Sequence, residues 1–130
     1  ALIADALNLP FVYVRSSPKS HGLTNMIEGK VLSGEKVVVI EDLVSTGGSS
    51  LNVVNALRAV DCKVLGMMAL FTYGFETAED NFFNADCPLY TLTDYESLIR
   101  KAIDQGYVQK EDLETLTAWR MKPEEWSKGL

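Results

Sequence analysis

The chain has few cysteines, little positive charge and no long apolar run, and each shortage removes a class of protein. Its two cysteines, Cys62 and Cys87, are not spaced as metal ligands. They read as reduced thiols of a cytoplasmic protein rather than a disulfide framework. Twelve Lys and Arg stand against 18 Asp and Glu, for a net charge of −6, which argues against a broad nucleic-acid surface. It does not argue against phosphorylated substrates, which are bound by local geometry. No apolar run approaches the roughly 20 residues that span a bilayer. No basic region precedes Ala1-Leu2-Ile3-Ala4-Asp5, so no signal peptide is visible. The start also lacks a methionine and falls inside a helical pattern (Leu2, Ile3, Ala6, Leu7), which raises the expectation that a front part is missing.

What is present suits one globular domain spanning 1–130. The hydrophobic fraction of 47% supports a core, and 130 residues are too few for two full domains. Asn8-Leu9-Pro10 stops the opening helix, and Phe11 to Val14 reads as a short strand. Ser16 to Glu35 is polar and carries Gly22, Gly29 and Gly34 without periodicity. A loop of that length is expected to be functional, with Met26 to Gly29 anchoring one end. Lys36 to Asp42 contains Val37, Val38, Val39 and Ile40 in succession, the pattern of a parallel strand covered on both faces. Leu51 to Val60 has helical spacing at 51, 54 and 57, and Lys63 to Phe71 is the next strand. Strand, turn, helix, strand is a βαβ unit, so the class is α/β: a Rossmann-like, mostly parallel sheet flanked by helices. A helix is expected between Glu76 and Ala85 and a strand over Pro88 to Leu92. The tail reads as helical, with Thr93 as N-cap and Glu96 reaching back to it. Leu113, Leu116 and Trp119 mark a further helix, and Pro123 suits the first turn of another.

The chemistry concentrates in Val37-Val38-Val39-Ile40-Glu41-Asp42-Leu43-Val44-Ser45-Thr46-Gly47-Gly48-Ser49. An apolar strand delivers two acids to the carboxyl edge of the sheet, where open α/β proteins bind ligands. A turn with small hydroxyl residues and two glycines then leads into a helix, whose N-terminal amides make an anion site. Acceptors for sugar hydroxyls and donors for a phosphate thus lie side by side, as in a ribose-phosphate cradle. No lysine follows the glycines, which excludes a Walker loop, and the G-x-G-x-x-G spacing of dinucleotide folds is absent.

That string is similar to the motif with which type I phosphoribosyltransferases bind 5-phosphoribosyl 1-pyrophosphate (PRPP): hydrophobic strand, acidic pair, Thr-Gly-Gly and a small residue. The preceding Arg15-Ser16-Ser17-Pro18-Lys19-Ser20-His21-Gly22, followed by Ile27-Glu28-Gly29, resembles the mobile catalytic loop of orotate phosphoribosyltransferases, with its Lys-x-His-Gly core. The resemblance implies the type I phosphoribosyltransferase fold with a helical C-terminal tail. It also implies transfer of the phosphoribosyl group of PRPP to orotate in pyrimidine biosynthesis, giving orotidine 5′-monophosphate and pyrophosphate, with Mg²⁺ as cofactor. Implied catalytic residues are Lys19, His21 and Asp42. PRPP would be held by those three with Arg15, Glu41, Leu43, Val44, Ser45, Thr46, Gly47, Gly48 and Ser49. Orotate would meet Ser45 and Tyr73, and no protein side chain is assigned to the metal. The family also implies a cytoplasmic homodimer that shares the loop between subunits and binds neither nucleic acid nor membrane.

Three features depart from the family pattern. Ser16 stands where many members have a second basic residue. Phe71-Thr72-Tyr73-Gly74 lacks the arginine that many pair with the orotate carboxylate, and Tyr73 reads equally as a strand-end core aromatic. The earlier pyrophosphate-binding loop and the substrate-covering hood would precede Ala1, so the 130-residue piece alone is expected to be weakly active or inactive. Transfer to another nucleobase, a PRPP-binding regulatory module, and a generic α/β domain whose glycines only make a turn are the competing readings.

Overall fold

In the computed structural model, residues 1–15 and 26–126 are described. A short helix α1 (Leu2–Ala6) leads to strand β1 (Tyr13–Val14), which pairs antiparallel with β2 (Ile27–Glu28). Phe11 and Val12 lie outside that strand, although Val12 still packs against the core. The expected anchor around Ile27 and Glu28 is this two-stranded ribbon. The segment 16–25, with Lys19 and His21, lies outside the described residues.

The body of the fold is β3 (Lys36–Val44), α2 (Gly48–Arg58), β4 (Lys63–Thr72), α3 (Glu76–Asn84) and β5 (Leu89–Asp94). The strands form one parallel sheet in the order β3-β4-β5, with Ile40 opposite Met68 and Met68 opposite Tyr90. Each connection steps one strand in the same direction. Right-handed crossovers of that kind put both helices on one face of the sheet. The core therefore forms on that face, from Val39 and Val44, Val54 and Leu57, Met67 and Ala69, and Ala78 and Phe82. Cys62 and Cys87 are free thiols buried within that core, and burial pushes both up.

The expectation that β3 is covered on both faces is not met. Val38 and Ile40 are 49% and 46% exposed, and Met68, Leu70, Tyr90 and Leu92 are also exposed. The apolar run records a sheet whose second face carries side chains suited to burial but is bare in this chain. β3 also runs two residues past Asp42. Its alternation slips there, leaving Leu43 exposed and Val44 fully buried.

The C-terminal part is helical, as expected: α4 (Tyr95–Asp104), a 3₁₀ turn (Lys110–Asp112), α5 (Leu113–Met121) and α6 (Pro123–Trp126). The N-cap of α4 is Asp94 rather than Thr93. Its carboxylate accepts the Ser97 N–H at 2.8 Å, because β5 continues through Thr93 and turns one residue later than expected. α5 is fastened to the end of β4 by Arg120, whose guanidinium donates to the carbonyls of Tyr73 (2.9 Å) and Gly74 (2.8 Å). Gly74 has φ +64°, and an added Cβ would meet Arg120 Nη2 at 2.9 Å, so a side chain there would displace the tie. No helix of the described residues is long and apolar enough to cross a membrane.

Candidate functional site

The cradle is built where β3 leaves the sheet. Gly47 is the N-cap of α2 with φ +84°, a left-handed conformation that costs glycine little and other residues more. Among the described residues no side chain caps this helix, and no acid occupies its first turn, an arrangement that suits an anion at the first-turn amides. Ser45, Thr46, Gly48 and Ser49 are all exposed along the turn. The two glycines differ in purpose. At Gly48 an added Cβ would meet nothing nearer than Thr46 Oγ1 at 4.0 Å, so its backbone is open to close approach. Gly47 is buried, and a Cβ there would meet Phe82 Cε2 at 2.8 Å.

The two acids have different surroundings. Glu41 is half-buried, and burial pushes its carboxyl above the ordinary range. The adjacent Asp42 charge adds to that rise, and a hydrogen bond from Ser50 opposes it. Ser50, in the first turn of α2, is the buried polar residue of the described core at 2% exposure. Its hydrogen bond to Glu41 ties the acid-bearing strand β3 to the start of α2. Asp42 is exposed, two residues before the end of β3. Among the described residues no group of three or more His, Cys, Asp or Glu is placed to hold a metal ion. An exposed carboxylate such as Asp42 would nonetheless suit a hard cation that arrives on substrate phosphates and keeps most of its waters.

Two further elements brace the turn. Asn81 of α3 donates from Nδ2 to the Thr46 carbonyl at 2.9 Å, and Phe82 beside it closes over Gly47. From β4, the Tyr73 N–H donates to the Val44 carbonyl at 3.2 Å, so the Tyr73–Gly74 loop abuts the start of the cradle. Tyr73 itself sits in an aromatic cluster, stacked on Phe75 (centroids 5.3 Å, interplanar 6°) and edge-on to Phe71 and Trp119. Leu43, Phe71, Tyr73, Tyr95 and Trp119 line a cavity of about 660 Å³ beside the cradle. Burial raises the Tyr95 hydroxyl above its usual value.

The structure thus brings together Glu41, Asp42 and 43–49, with Tyr73 one hydrogen bond from Val44. Arg15 lies at the foot of the 16–25 segment, on the ribbon. Its guanidinium pairs with Glu28 at 3.1 Å, and its N–H donates to the Met26 carbonyl at 2.8 Å. Sequence reasoning missed Ser50, Asn81 and Phe82. Ser50 lies one residue beyond the motif string, within reach of a helical reading of its first turn. Nothing in the sequence marks Asn81, one of two asparagines in a helix 35 residues from its partner.

The comparisons agree with this geometry. Residues 1–99 match the model of the phosphoribosyl transferase domain. An orotate phosphoribosyltransferase of Bacteroides thetaiotaomicron is 58% identical over 129 residues, covering 99% of this chain and 61% of that protein. The chain therefore spans about three-fifths of the length of such relatives. Among solved structures, UMP synthase of Leishmania donovani superposes with a TM-score of 0.75 at 22% identity, over 91% of this chain and 25% of that one, and shows the shared fold. Orotate phosphoribosyltransferase of Aeropyrum pernix gives 0.69 at 27% identity, over 82% of this chain and 58% of its own. With its parallel sheet, glycine turn and acidic strand end, this chain belongs to the phosphoribosyl transferase family.

Proposed function

We propose that the protein carrying this chain is an orotate phosphoribosyltransferase. It moves the phosphoribosyl group of PRPP to a ring nitrogen of orotate, releasing pyrophosphate. The observation that carries the proposal is the glycine-turned start of α2, with no side-chain cap among the described residues, set against an exposed Asp42, in a chain 58% identical to a relative of that name. Displacement at the anomeric carbon develops oxocarbenium character, so catalysis rests on positioning and electrostatics rather than a covalent nucleophile. The turn from Leu43 to Ser49 holds the 5-phosphate through backbone N–H groups and the hydroxyls of Ser45, Thr46 and Ser49. Asp42 and Glu41 accept from the ribose 2- and 3-hydroxyls and lie near the developing positive charge. Lys19, His21 and Arg15 serve the departing pyrophosphate, the first two from the segment outside the described residues. Ser45 and Tyr73 face the base. Asp42 would stand beside a Mg²⁺ brought in on the substrate, an ion that would supply charge neutralisation at the leaving pyrophosphate.

A homodimer that shares the 16–25 segment between sites, in the cytoplasm, completes the reading. The test is a PRPP-dependent turnover assay of the purified gene product with orotate, adenine, hypoxanthine and uracil in parallel. Turnover of orotate alone is expected. Turnover of another base, or PRPP binding without turnover of any, contradicts the proposal.

A further inference from the structure

A glycine at the head of the phosphate turn creates a problem that it does not solve. Glycine adopts positive and negative φ about equally readily, so the peptide between Thr46 and Gly47 can rotate either way up. In a trans peptide the C=O and N–H point in opposite directions, and no peptide of the described chain is cis. Whatever fixes the Thr46 carbonyl therefore also aims the Gly47 N–H.

The Asn81 side-chain amide fixes it, donating to the Thr46 oxygen at 2.9 Å. α3 is a rigid place to act from. Ala78 and Phe82 bury it in the core, and Arg58 of α2 ties down its far end by donating to the carbonyls of Ala85 (2.6 Å) and Asp86 (2.9 Å). With the carbonyl held on the α3 side, the Gly47 N–H leaves the turn on the opposite side. Phe82, packed on Gly47, restricts the same rotation from the other neighbouring residue.

We infer that Asn81 is a positioning residue for phosphate recognition: its amide selects the peptide orientation in which the Gly47 N–H is presented to the 5-phosphate. It touches no substrate. The inference rests on the cradle being a ribose-phosphate site and deepens that reading.

The experiment titrates ribose 5-phosphate into the purified protein and its Asn81→Ala, Asn81→Asp and Asn81→Gln variants. It follows the Gly47 amide by ¹H–¹⁵N NMR and measures KM and kcat for PRPP. Asn81→Ala is expected to weaken ribose 5-phosphate binding and raise KM about tenfold, the size of one neutral hydrogen bond, with kcat within about threefold. The ligand-induced shift of the Gly47 amide is expected to shrink with it. Asn81→Asp, which presents an acceptor to an acceptor, is expected to bind no better than Asn81→Ala, and Asn81→Gln to recover part of the affinity. Wild-type affinity and Gly47 shift in Asn81→Ala, with only its melting temperature lowered, would overturn the inference. Loss of fold in that variant leaves Asn81→Gln and Asn81→Asp, where equal affinities would overturn it. A wild-type protein that ignores ribose 5-phosphate instead overturns the cradle itself.

Discussion

Replacing Gly47 with alanine places one methyl group where the phosphate turn, the helix start and the core meet. The backbone there has φ +84°, and moving an ordinary residue into the left-handed region costs roughly 1–2 kcal/mol. The new Cβ would lie 2.8 Å from Phe82 Cε2 and 3.2 Å from Cδ2. Phe82 is 4% exposed and belongs to the central cluster, so it yields only by disturbing its neighbours. Overpacking of that kind adds about 1–3 kcal/mol. The two effects together reach about 3 kcal/mol, which for a domain of this size lowers the melting temperature by roughly 10 °C. Differential scanning calorimetry measures the loss, and ribose 5-phosphate titration measures the site. Because relief of strain moves the turn, affinity is expected to fall at least about tenfold, one lost hydrogen bond or more. Pairing the change with Phe82→Leu removes the collision and leaves the φ strain. The double variant should thus be more stable than the sum of the single changes predicts, by about 1 kcal/mol. An alanine variant with wild-type melting and wild-type affinity would refute the reasoning, since neither the conformation nor the contact would then constrain the turn.

Three further outcomes follow from the same geometry. Burial raises the Glu41 carboxyl in the folded state, so its contribution is full at low pH and is lost as pH rises through the folded value. Glu41→Gln is therefore expected to melt above wild type at neutral pH, with the gap closing in acid, while PRPP binding weakens. Asp94 behaves in the opposite sense. The Ser97 N–H lowers its carboxyl, so its stabilisation of α4 is present at neutral pH and lost as pH falls through the depressed value. Asp94→Ala should melt below wild type at neutral pH and converge with it in acid. Arg120→Ala removes two charged hydrogen bonds that hold α5 to the Tyr73–Gly74 loop and should cost about 2 kcal/mol in urea unfolding. Arg120→Lys should recover little, because an ammonium lacks the planar fork that spans two carbonyls.

The elements legible in the sequence are those whose signal is local. Val37 to Ile40 announced β3, and the glycines after Asp42 announced the turn and the start of α2. The apolar period at 51, 54 and 57 gave the helix itself, and βαβ order gave a parallel sheet. What escaped depends on tertiary partners. A run of β-branched residues says that a strand is suited to burial, not that both faces are covered, so the bare face of Val38, Ile40 and Met68 was not foreseen. Thr93 and Asp94 are both good caps, and the choice between them depends on how far β5 pairs with β4, where Thr72 still faces Asp94. In the site, the motif string marked Glu41, Asp42 and the turn 43–49, which the structure brings together where β3 leads into α2. It was silent on Asn81 and Phe82, which shape the turn from a helix about 35 residues away. Hydrogen bonds between distant segments leave no periodicity to read.

The central claim, that Val37 to Ser49 forms a ribose 5-phosphate site of a PRPP-using enzyme, is tested most directly by calorimetric titration of PRPP with Mg²⁺. The wild-type protein and the Asp42→Asn/Thr46→Val double variant are compared, with circular dichroism confirming that both are folded. Saturable binding by wild type and its loss in the folded double variant is the predicted result. Equal binding by the two, or none by wild type, would contradict it.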